Sequence, residues 1–302
     1  MGIGDVRQVA TGSCTDLWVV DTGMYEVSQY GSVYILDAAR PAIVETGIGT
    51  HADRILDALT EVGLAPEEIE VIAVTHVHLD HAGGAGFLAE ACPNATFVVH
   101  EIGAPHLADP GRLWAGTKQA VGDQITHYVE PEPVPEDCIQ PIADGDRIGL
   151  GEHALIAHHA PGHAPHQVVY EDPENDAVFT GDAAGLYAPE RDQVEPSSPP
   201  PDFDLEQALR DVETIQDVNP GTLLYSHFGP ALLTDQLDAY ARTLSDWVQA
   251  VAATRDELGS DAAVVEHFAG ETAASDIWGP EKGRGETAMN VRGVLTYLDS
   301  TA

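Results

Sequence analysis

The stretch His76-Val77-His78-Leu79-Asp80-His81 carries the strongest signal in this chain. It directly follows a continuous apolar run, residues 71–75, that predicts a strand buried on both faces. Alternate side chains of an extended chain share a face, so His76 and His78 can point at one metal ion. Asp80 and His81 lie where the chain turns and can be directed at a second ion. Packing alone does not account for this cluster, because crowded histidines repel when protonated and a buried carboxylate needs a partner.

Later turns supply further candidate ligands, which two metal sites would need in addition to this local group. Three turns each follow an apolar strand: Pro161-Gly162-His163, Gly181-Asp182 and Ser226-His227. Strand exits bring side chains from distant segments to one edge of a sheet. Each turn alone is a weak signal, and together they indicate a single metal centre.

The order of these motifs resembles the metallo-β-lactamase superfamily: HxHxDH, then Pro-Gly-His, then Gly-Asp, then a late histidine. The run from Ala160 to His166 is most similar to the glyoxalase II (hydroxyacylglutathione hydrolase-like) branch, and the resemblance covers about residues 20–230. It implies an α/β fold, the four-layer αββα metallo-β-lactamase sandwich. Residues 1–230 would form the catalytic domain, and residues 231–302 a mainly helical C-terminal extension packed on it.

The same resemblance implies a ligand set for two divalent metal ions. One ion would be held by His76, His78 and His163, and the other by Asp80, His81 and His227, with Asp182 bridging the two. Such ligands suit zinc, although iron or manganese can occupy a similar site. Asp80 would also orient the nucleophile, and Tyr187 is a candidate donor of a hydrogen bond to a substrate oxygen. Four nearby side chains have no ligand role in this set: His158, His159, His166 and Tyr225.

The implied activity is a metal-dependent hydrolase that acts on a thioester, ester or lactone. Metal binding lowers the pKa of water from 15.7 toward about 7, so a metal-bridged hydroxide can attack the substrate carbonyl. Two other enzymes stay open as alternatives, a mononuclear-iron persulfide dioxygenase and a nuclease of the same superfamily. A binding module without activity is a further alternative. The complete ligand set favours the two-metal hydrolase, because a mononuclear enzyme does not need all of it.

Charge is the outstanding feature of the composition. The 302 residues include 50 acidic and 13 basic side chains, a formal net charge of −37. The acidic residues are scattered along the whole chain, as is typical of proteins adapted to molar salt, where their mutual repulsion is screened. Nucleic-acid binding requires a basic stripe. We therefore expect a halophilic protein without a nucleic-acid partner.

Location and partners are predicted from simple patterns. Hydropathy shows no apolar run of about 18 residues, and the N-terminus lacks the basic-then-apolar order of a secretory signal. The three cysteines, Cys14, Cys92 and Cys138, are widely spaced and do not indicate a disulfide framework. These patterns predict a cytoplasmic protein without a membrane partner. With the resemblance, the expected ligand is a small-molecule acyl substrate; a homo-oligomer remains open.

Apolar periodicity predicts the remaining elements in outline. Strands are expected at 32–36 and 42–46, and a helix over 51–62 that ends at Gly63. Residues 106–140 are poor in such periodicity and predict a surface excursion. We expect this excursion and the proline-rich segment 188–202 to close the acyl pocket.

Overall fold

Two β-sheets packed face to face form the centre of the molecule in this computed structural model, which describes residues 1–270 and 272–301. The first sheet contains β1 to β7, in that spatial order: Val6–Gln8, Leu17–Asp21, Ser32–Leu36, Ala42–Val44, Val71–Ala73, Thr96–His100 and Ile139–Ile142. Six further strands are β8 to β11, Arg147–Gly149, Ala154–His159, Val168–Asp172 and Ala177–Gly181, and β14 and β15, Thr222–Tyr225 and Gly229–Leu232. They form the second sheet in the order β15-β14-β11-β10-β9-β8. Strands β12 and β13, Leu186–Ala188 and Gln193–Glu195, form a separate hairpin.

Helices lie outside the two sheets and in the C-terminal part. Helices α1 to α4 span Ala52–Val62, Ala85–Ala91, Ala104–Ala108 and Gly111–Val121. Helix α5 spans Leu205–Val218, and α6 to α9 span Gln236–Leu258, Asp261–Gly270, Ala274–Trp278 and Pro280–Thr301. No helix within residues 1–270 and 272–301 is long and apolar enough to cross a lipid bilayer.

Strand β3 shows why the two sheets and the helices outside them form four layers. Tyr34 lies between the sheets, edge to face with Phe179 of β11 at a ring-centroid distance of 5.3 Å. Ile35 points to the opposite face, where it shares a buried cluster with Leu59 of α1. On the far side, Val178 of β11 is buried in a cluster that includes α5 and α6. Side chains of both faces are therefore covered, and the predicted αββα sandwich is confirmed.

Parallel strand pairs bring distant turns to one edge of the sandwich. Strands β4 and β5 are parallel neighbours in the first sheet, so Glu45 and the loop from Val74 onward leave that sheet in the same direction. Strands β11 and β14 are parallel neighbours in the second sheet, so Asp182 and His227 also follow strand ends on one side. The predicted strand 42–46 is two residues shorter than expected, because Glu45 has a positive φ of 71° and turns out of the sheet.

The expectation for residues 106–140 needs a correction. The segment lies at the surface, but it contains helix α4 and a 3-10 turn over Gly122–His127. Every residue of α4 is at least partly exposed. Leu113 packs against a core cluster, whereas Ala120 and Val121 line a cavity, so the helix lacks the strong apolar stripe that would have revealed it.

The C-terminal part packs on the second sheet and its flanking elements. Leu244 and Val251 of α6 and Val291 of α9 share one buried cluster with Val178 and Leu223 of the second sheet. The helical character predicted for 231–302 is confirmed, apart from β15, which ends at Leu232. The boundary at residue 230 remains a prediction, since a single apolar core crosses it.

Candidate metal centre

Three imidazoles from two strand exits converge at the first predicted metal position. Nε2 of His76 lies 3.1 Å from Nδ1 of His78, and Nε2 of His163 lies 3.0 Å from the same Nδ1 atom. His76 follows β5, and His163 lies in the turn between β9 and β10. All three rings offer one nitrogen within 4.8 Å of the other two, as a shared metal ion requires.

A second group lies beside the first and again draws on distant segments. Nε2 of His227 is 3.2 Å from Nε2 of His81 and 3.8 Å from Oδ2 of Asp80. His227 follows β14, whereas Asp80 and His81 belong to the turn after β5. These three side chains can hold a second ion.

Asp182 lies between the two groups and presents one oxygen to each. Its Oδ2 atom is 3.5 Å from Nε2 of His163. Its Oδ1 atom is 3.3 Å from Nε2 of His81 and 3.6 Å from Nε2 of His227. Oδ1 is buried without a hydrogen-bond partner among the described residues, an arrangement that costs free energy unless a cation satisfies it. The donor set therefore fits a pair of bridged cations.

Electrostatics hold most of these side chains in the forms that bind metal. Burial lowers the pKa of His163 to about 3, and burial with the neighbouring histidines lowers the pKa of His76 well below its usual value. Burial raises the pKa of Asp182, but His163 and His81 outweigh it and hold that pKa well below the usual range. Neutral imidazoles and ionised carboxylates are the species that coordinate metal ions.

His81 differs from the other histidines because three carboxylates surround it. Burial lowers its pKa, but Asp182, Glu45 and Asp80 together raise that pKa well above the usual value. The imidazole is therefore protonated when no cation occupies the centre. Metal binding at His81 would release a proton.

Glu45 contacts His81 at Nδ1, the ring nitrogen opposite the one that lies near Asp182 and His227. The sequence motifs did not indicate this residue. Its Oε1 atom lies 3.1 Å from Nδ1 of His81 and accepts hydrogen bonds from the Thr75 hydroxyl (2.6 Å) and the Ser226 hydroxyl (2.8 Å). The side chain is only 1% exposed. A carboxylate on the far nitrogen of a ligand histidine fixes its tautomer and increases its basicity. The available signal was an acidic residue directly after a fully apolar strand.

Two more supporting contacts come from outside the sequence motifs. The Ser197 hydroxyl donates to Oδ2 of Asp182 at 3.0 Å and lies 3.1 Å from Nδ1 of His163. Nδ1 of His227 lies 2.9 Å from the backbone carbonyl oxygen of Tyr30. The Nδ1 atoms of His163 and His227 are thus occupied, and their Nε2 atoms stay available for a metal ion.

A cavity of about 300 Å³ opens over the two groups. His78, Asp80 and Asp182 lie at its base, and its walls include one face of α4 and the segment 199–202. Both segments expected to close an acyl pocket, 106–140 and 188–202, therefore contribute to the wall. Most of the other lining side chains are apolar or aromatic, including Leu79, Leu113, Leu186, Tyr30, Tyr128 and Met289.

The structure does not bring Tyr187 to the metal centre. Its hydroxyl donates to Oδ1 of Asp192 at 2.9 Å, and its ring stacks on Tyr225 at a centroid distance of 5.1 Å. The β12–β13 hairpin turns this side chain toward the core beside the second sheet. The catalytic role predicted for Tyr187 thus gains no support from its position.

The histidines near the Pro-Gly-His turn are placed differently from one another. His158 pairs with Glu171 at 2.8 Å, and His159 stacks on His100 at 4.2 Å. His166 lines the cavity and stacks on His76, and burial lowers its pKa to about 2. His166 is therefore a neutral part of the cavity wall.

Comparison with known proteins agrees with this site. The family model described as the Metallo-beta-lactamase superfamily matches residues 28–227. An acyl-coenzyme A thioesterase of Gallus gallus, MBLAC2, is 25% identical over 182 residues, which are 55% of this chain and 61% of that protein. An N-acyl homoserine lactonase of a Bacillus species is 28% identical over 213 residues, 66% of this chain and 70% of that protein. The solved structure of the archaeal superfamily protein ST1585 from Sulfolobus tokodaii has a TM-score of 0.72 at 20% identity, covering 93% of this chain and 99% of that one.

The fold and the converging histidines and aspartates define a metal-binding hydrolase of the αββα class. The chain belongs to the metallo-β-lactamase superfamily. Residues 28–227 contain all seven predicted ligands, and the structure brings those seven side chains together. Their assignment as ligands, and the number and identity of the ions, remain predictions.

Proposed function

We propose that this protein is a two-metal hydrolase that cleaves the acyl bond of a thioester, ester or lactone. The observation that carries the proposal is the position of Asp182, which presents one oxygen to each group of ligands at the base of a largely apolar cavity. Two adjacent cations at the base of such a cavity suit the attack of water on a carbonyl group.

When bound, the metal ions would supply Lewis acidity and a water of lowered pKa. His76, His78 and His163 would hold one ion, and Asp80, His81 and His227 the other. Asp182 would bridge them. These residues were predicted from the sequence motifs, and their convergence supports the assignment.

Asp80 has a second task in the proposed reaction. It lines the cavity and remains 22% exposed, more than any of its neighbours in the second group. Burial raises its pKa, but His81 and His227 outweigh burial and lower that pKa below its usual value. Asp80 therefore stays ionised and can accept a hydrogen bond from the attacking water and orient it.

Named relatives support an acyl substrate but differ in its identity. MBLAC2 is named an acyl-coenzyme A thioesterase, and the Bacillus protein is named an N-acyl homoserine lactonase. Both names describe acyl-bond hydrolysis, the chemistry proposed here. Within that chemistry we propose a glyoxalase II-like branch and zinc as the metal, on the Pro-Gly-His motif and the nitrogen-rich ligand set.

The proposal also covers the salt adaptation, the location and the partners of the protein. The net charge of −37 supports a halophilic protein, and it disfavours a nucleic-acid partner. We place the protein in the cytoplasm, acting on a small molecule, without a membrane partner. A homo-oligomer is compatible with this role.

Metal analysis joined to a substrate panel tests the proposal. Protein purified in high salt should contain two divalent ions per chain and hydrolyse at least one of a set of thioesters, esters and lactones. Chelation should abolish hydrolysis, and added zinc should restore it. One iron per chain with oxygen uptake on a persulfide would replace the proposal with a dioxygenase, and cleavage of RNA would replace it with a nuclease.

A further inference from the structure

Two tyrosines from separate segments meet in the wall of the cavity. Tyr25 belongs to the turn after β2, and Tyr128 follows the 3-10 turn after α4. Their hydroxyl groups are hydrogen-bonded to each other, although 103 residues separate them in the chain. Both residues line the cavity together with His78 and Asp80. The pair therefore places two phenols in the wall of the cavity that opens over the metal centre.

The Tyr25–Tyr128 pair has one more hydroxyl proton than its mutual hydrogen bond uses. Each phenol carries one proton, and the mutual hydrogen bond uses one of the two. The other O–H donates to no acceptor within the described part of the chain. Burial raises the pKa of Tyr25 and of Tyr128 well above the usual value, so both stay protonated at neutral pH. One neutral donor is thus available to a ligand.

The third tyrosine that lines the cavity lacks such a free proton. Tyr30 also lines the cavity, but its hydroxyl donates to Oε2 of Glu286 at 2.9 Å. The hydroxyl of Tyr187 is engaged with Asp192. Among the tyrosines that line the cavity, the uncommitted donor therefore belongs to the Tyr25–Tyr128 pair.

Packing holds the pair in place before any ligand arrives. The ammonium group of Lys282 lies 3.8 Å from the ring centroid of Tyr25 and pairs with Oε2 of Glu286 at 2.7 Å. The Tyr25 ring also meets the rings of Tyr30 and Tyr128 edge to face, at 5.4 and 5.7 Å. A donor fixed in this way costs no reorganisation when charge develops on a ligand oxygen.

We propose that the Tyr25–Tyr128 pair binds the carbonyl oxygen of the acyl substrate through its uncommitted O–H and stabilises the negative charge that develops there. The inference rests on the proposed hydrolase function. The hydrogen bond transfers no proton, so both phenols remain intact through the reaction. Because either hydroxyl can accept the mutual bond, each tyrosine alone retains a donor, and only the loss of both removes it.

Phenylalanine substitutions test the pair, since they remove a hydroxyl and keep the ring that packs on Lys282. The variants are Tyr25→Phe, Tyr128→Phe, the double variant, and Tyr187→Phe as the matched control, whose lost hydroxyl bonds to Asp192. Each is loaded with metal and assayed on the substrates that the wild type hydrolyses. Metal content and thermal unfolding are measured alongside.

We expect each single variant to lose less than about fivefold in kcat, because one uncommitted hydroxyl is left. The double variant should lose about 100-fold in kcat with an unchanged metal content, as for other preorganised donors to a developing oxyanion. The control should stay within about twofold of the wild type. A double variant as active as the wild type would overturn the inference. So would single variants as impaired as the double, or loss of metal in the double, since each indicates a structural role.

A binding measurement separates this inference from the proposed function. If the wild type hydrolyses none of the panel, the hydrolase proposal fails, and the pair is tested with octanoate, which carries a carboxyl oxygen and an apolar chain. The double variant should then bind octanoate about tenfold more weakly than Tyr187→Phe does, from the loss of one neutral hydrogen bond. Equal dissociation constants would overturn the inference.

Discussion

Oε1 of Glu45 lies 3.1 Å from Nδ1 of His81, although the two residues are 36 positions apart in the chain. His81 is a predicted metal ligand, and Glu45 was not predicted at all. The contact exists because β4 and β5 are parallel neighbours, and the chain leaves both strands at one edge of the sheet. Residues that control the metal centre therefore lie outside its recognisable motifs.

Removal of the Glu45 charge should weaken metal binding without unfolding the protein. Glu45→Gln keeps the size of the side chain but removes the negative charge that polarises His81. We expect metal affinity to fall about 10- to 100-fold, measured by competition with a chromophoric chelator. Glu70→Gln is the matched control, because Glu70 is half-exposed and pairs with Arg40 away from the site. Equal affinities for the two variants would contradict a role of Glu45.

Asp182→Ala should reduce metal binding and remove activity together. The substitution removes both oxygens that face the two ligand groups, so neither group keeps a carboxylate shared with the other. We expect fewer than two ions per chain by elemental analysis and a loss of hydrolysis. Asp192→Ala is the control, since its carboxylate bonds to Tyr187 outside the cavity wall. A variant that retains two ions and full activity would exclude Asp182 as the bridge.

Gly116 should control the length of the acyl chain that the cavity accepts. This residue lines the cavity on α4, and a Cβ atom placed on it meets no atom within 4 Å among the described residues. Gly116→Leu should extend into the cavity and lower kcat/KM about 10-fold or more for long acyl chains, while acetyl substrates stay unaffected. Gly116→Ala is the control, which gains helix propensity without filling the cavity. An equal effect on short and long chains would show that α4 does not line the acyl site.

Stability should depend on pH through Asp211. Burial raises the pKa of this carboxyl group to about 6, even though the backbone N–H of Gly162 and the side chain of Gln207 donate to it. A raised pKa in the folded state favours folding below the unfolded value of 3.8, and that contribution is lost as the pH rises through about 6.

The comparison with Asp211→Asn isolates this group, since asparagine does not titrate and the other groups are common to both proteins. Relative to the variant, the free energy of unfolding of the wild type should fall by at most about 3 kcal/mol between pH 4 and pH 6, and stay level above that. Denaturant unfolding at constant high salt measures the difference. A difference that does not change with pH would show that the pKa of Asp211 is not raised.

Much of the fold could be predicted because its signals are local. The apolar strand 32–36 and helix α1, which ends at Gly63, follow from periodicities of two and 3.6 residues that the core imposes on each element separately. Helix α4 was missed because it lacks such a core-imposed periodicity. Only Leu113 packs against a core cluster, and Ala120 and Val121 line a cavity, so no continuous core stripe marks the helix.

The sequence by itself was enough to predict the seven side chains that converge at the metal centre, because a ligand motif at a strand exit needs only a few neighbouring residues to be recognised. Tertiary structure alone decided which groups support and surround them. Glu45, Ser197 and the Tyr25–Tyr128 pair reach the site through contacts between segments far apart in the chain. Tyr187, by contrast, was directed away by its hairpin. Such contacts depend on sheet order and helix packing, which no short stretch of sequence encodes.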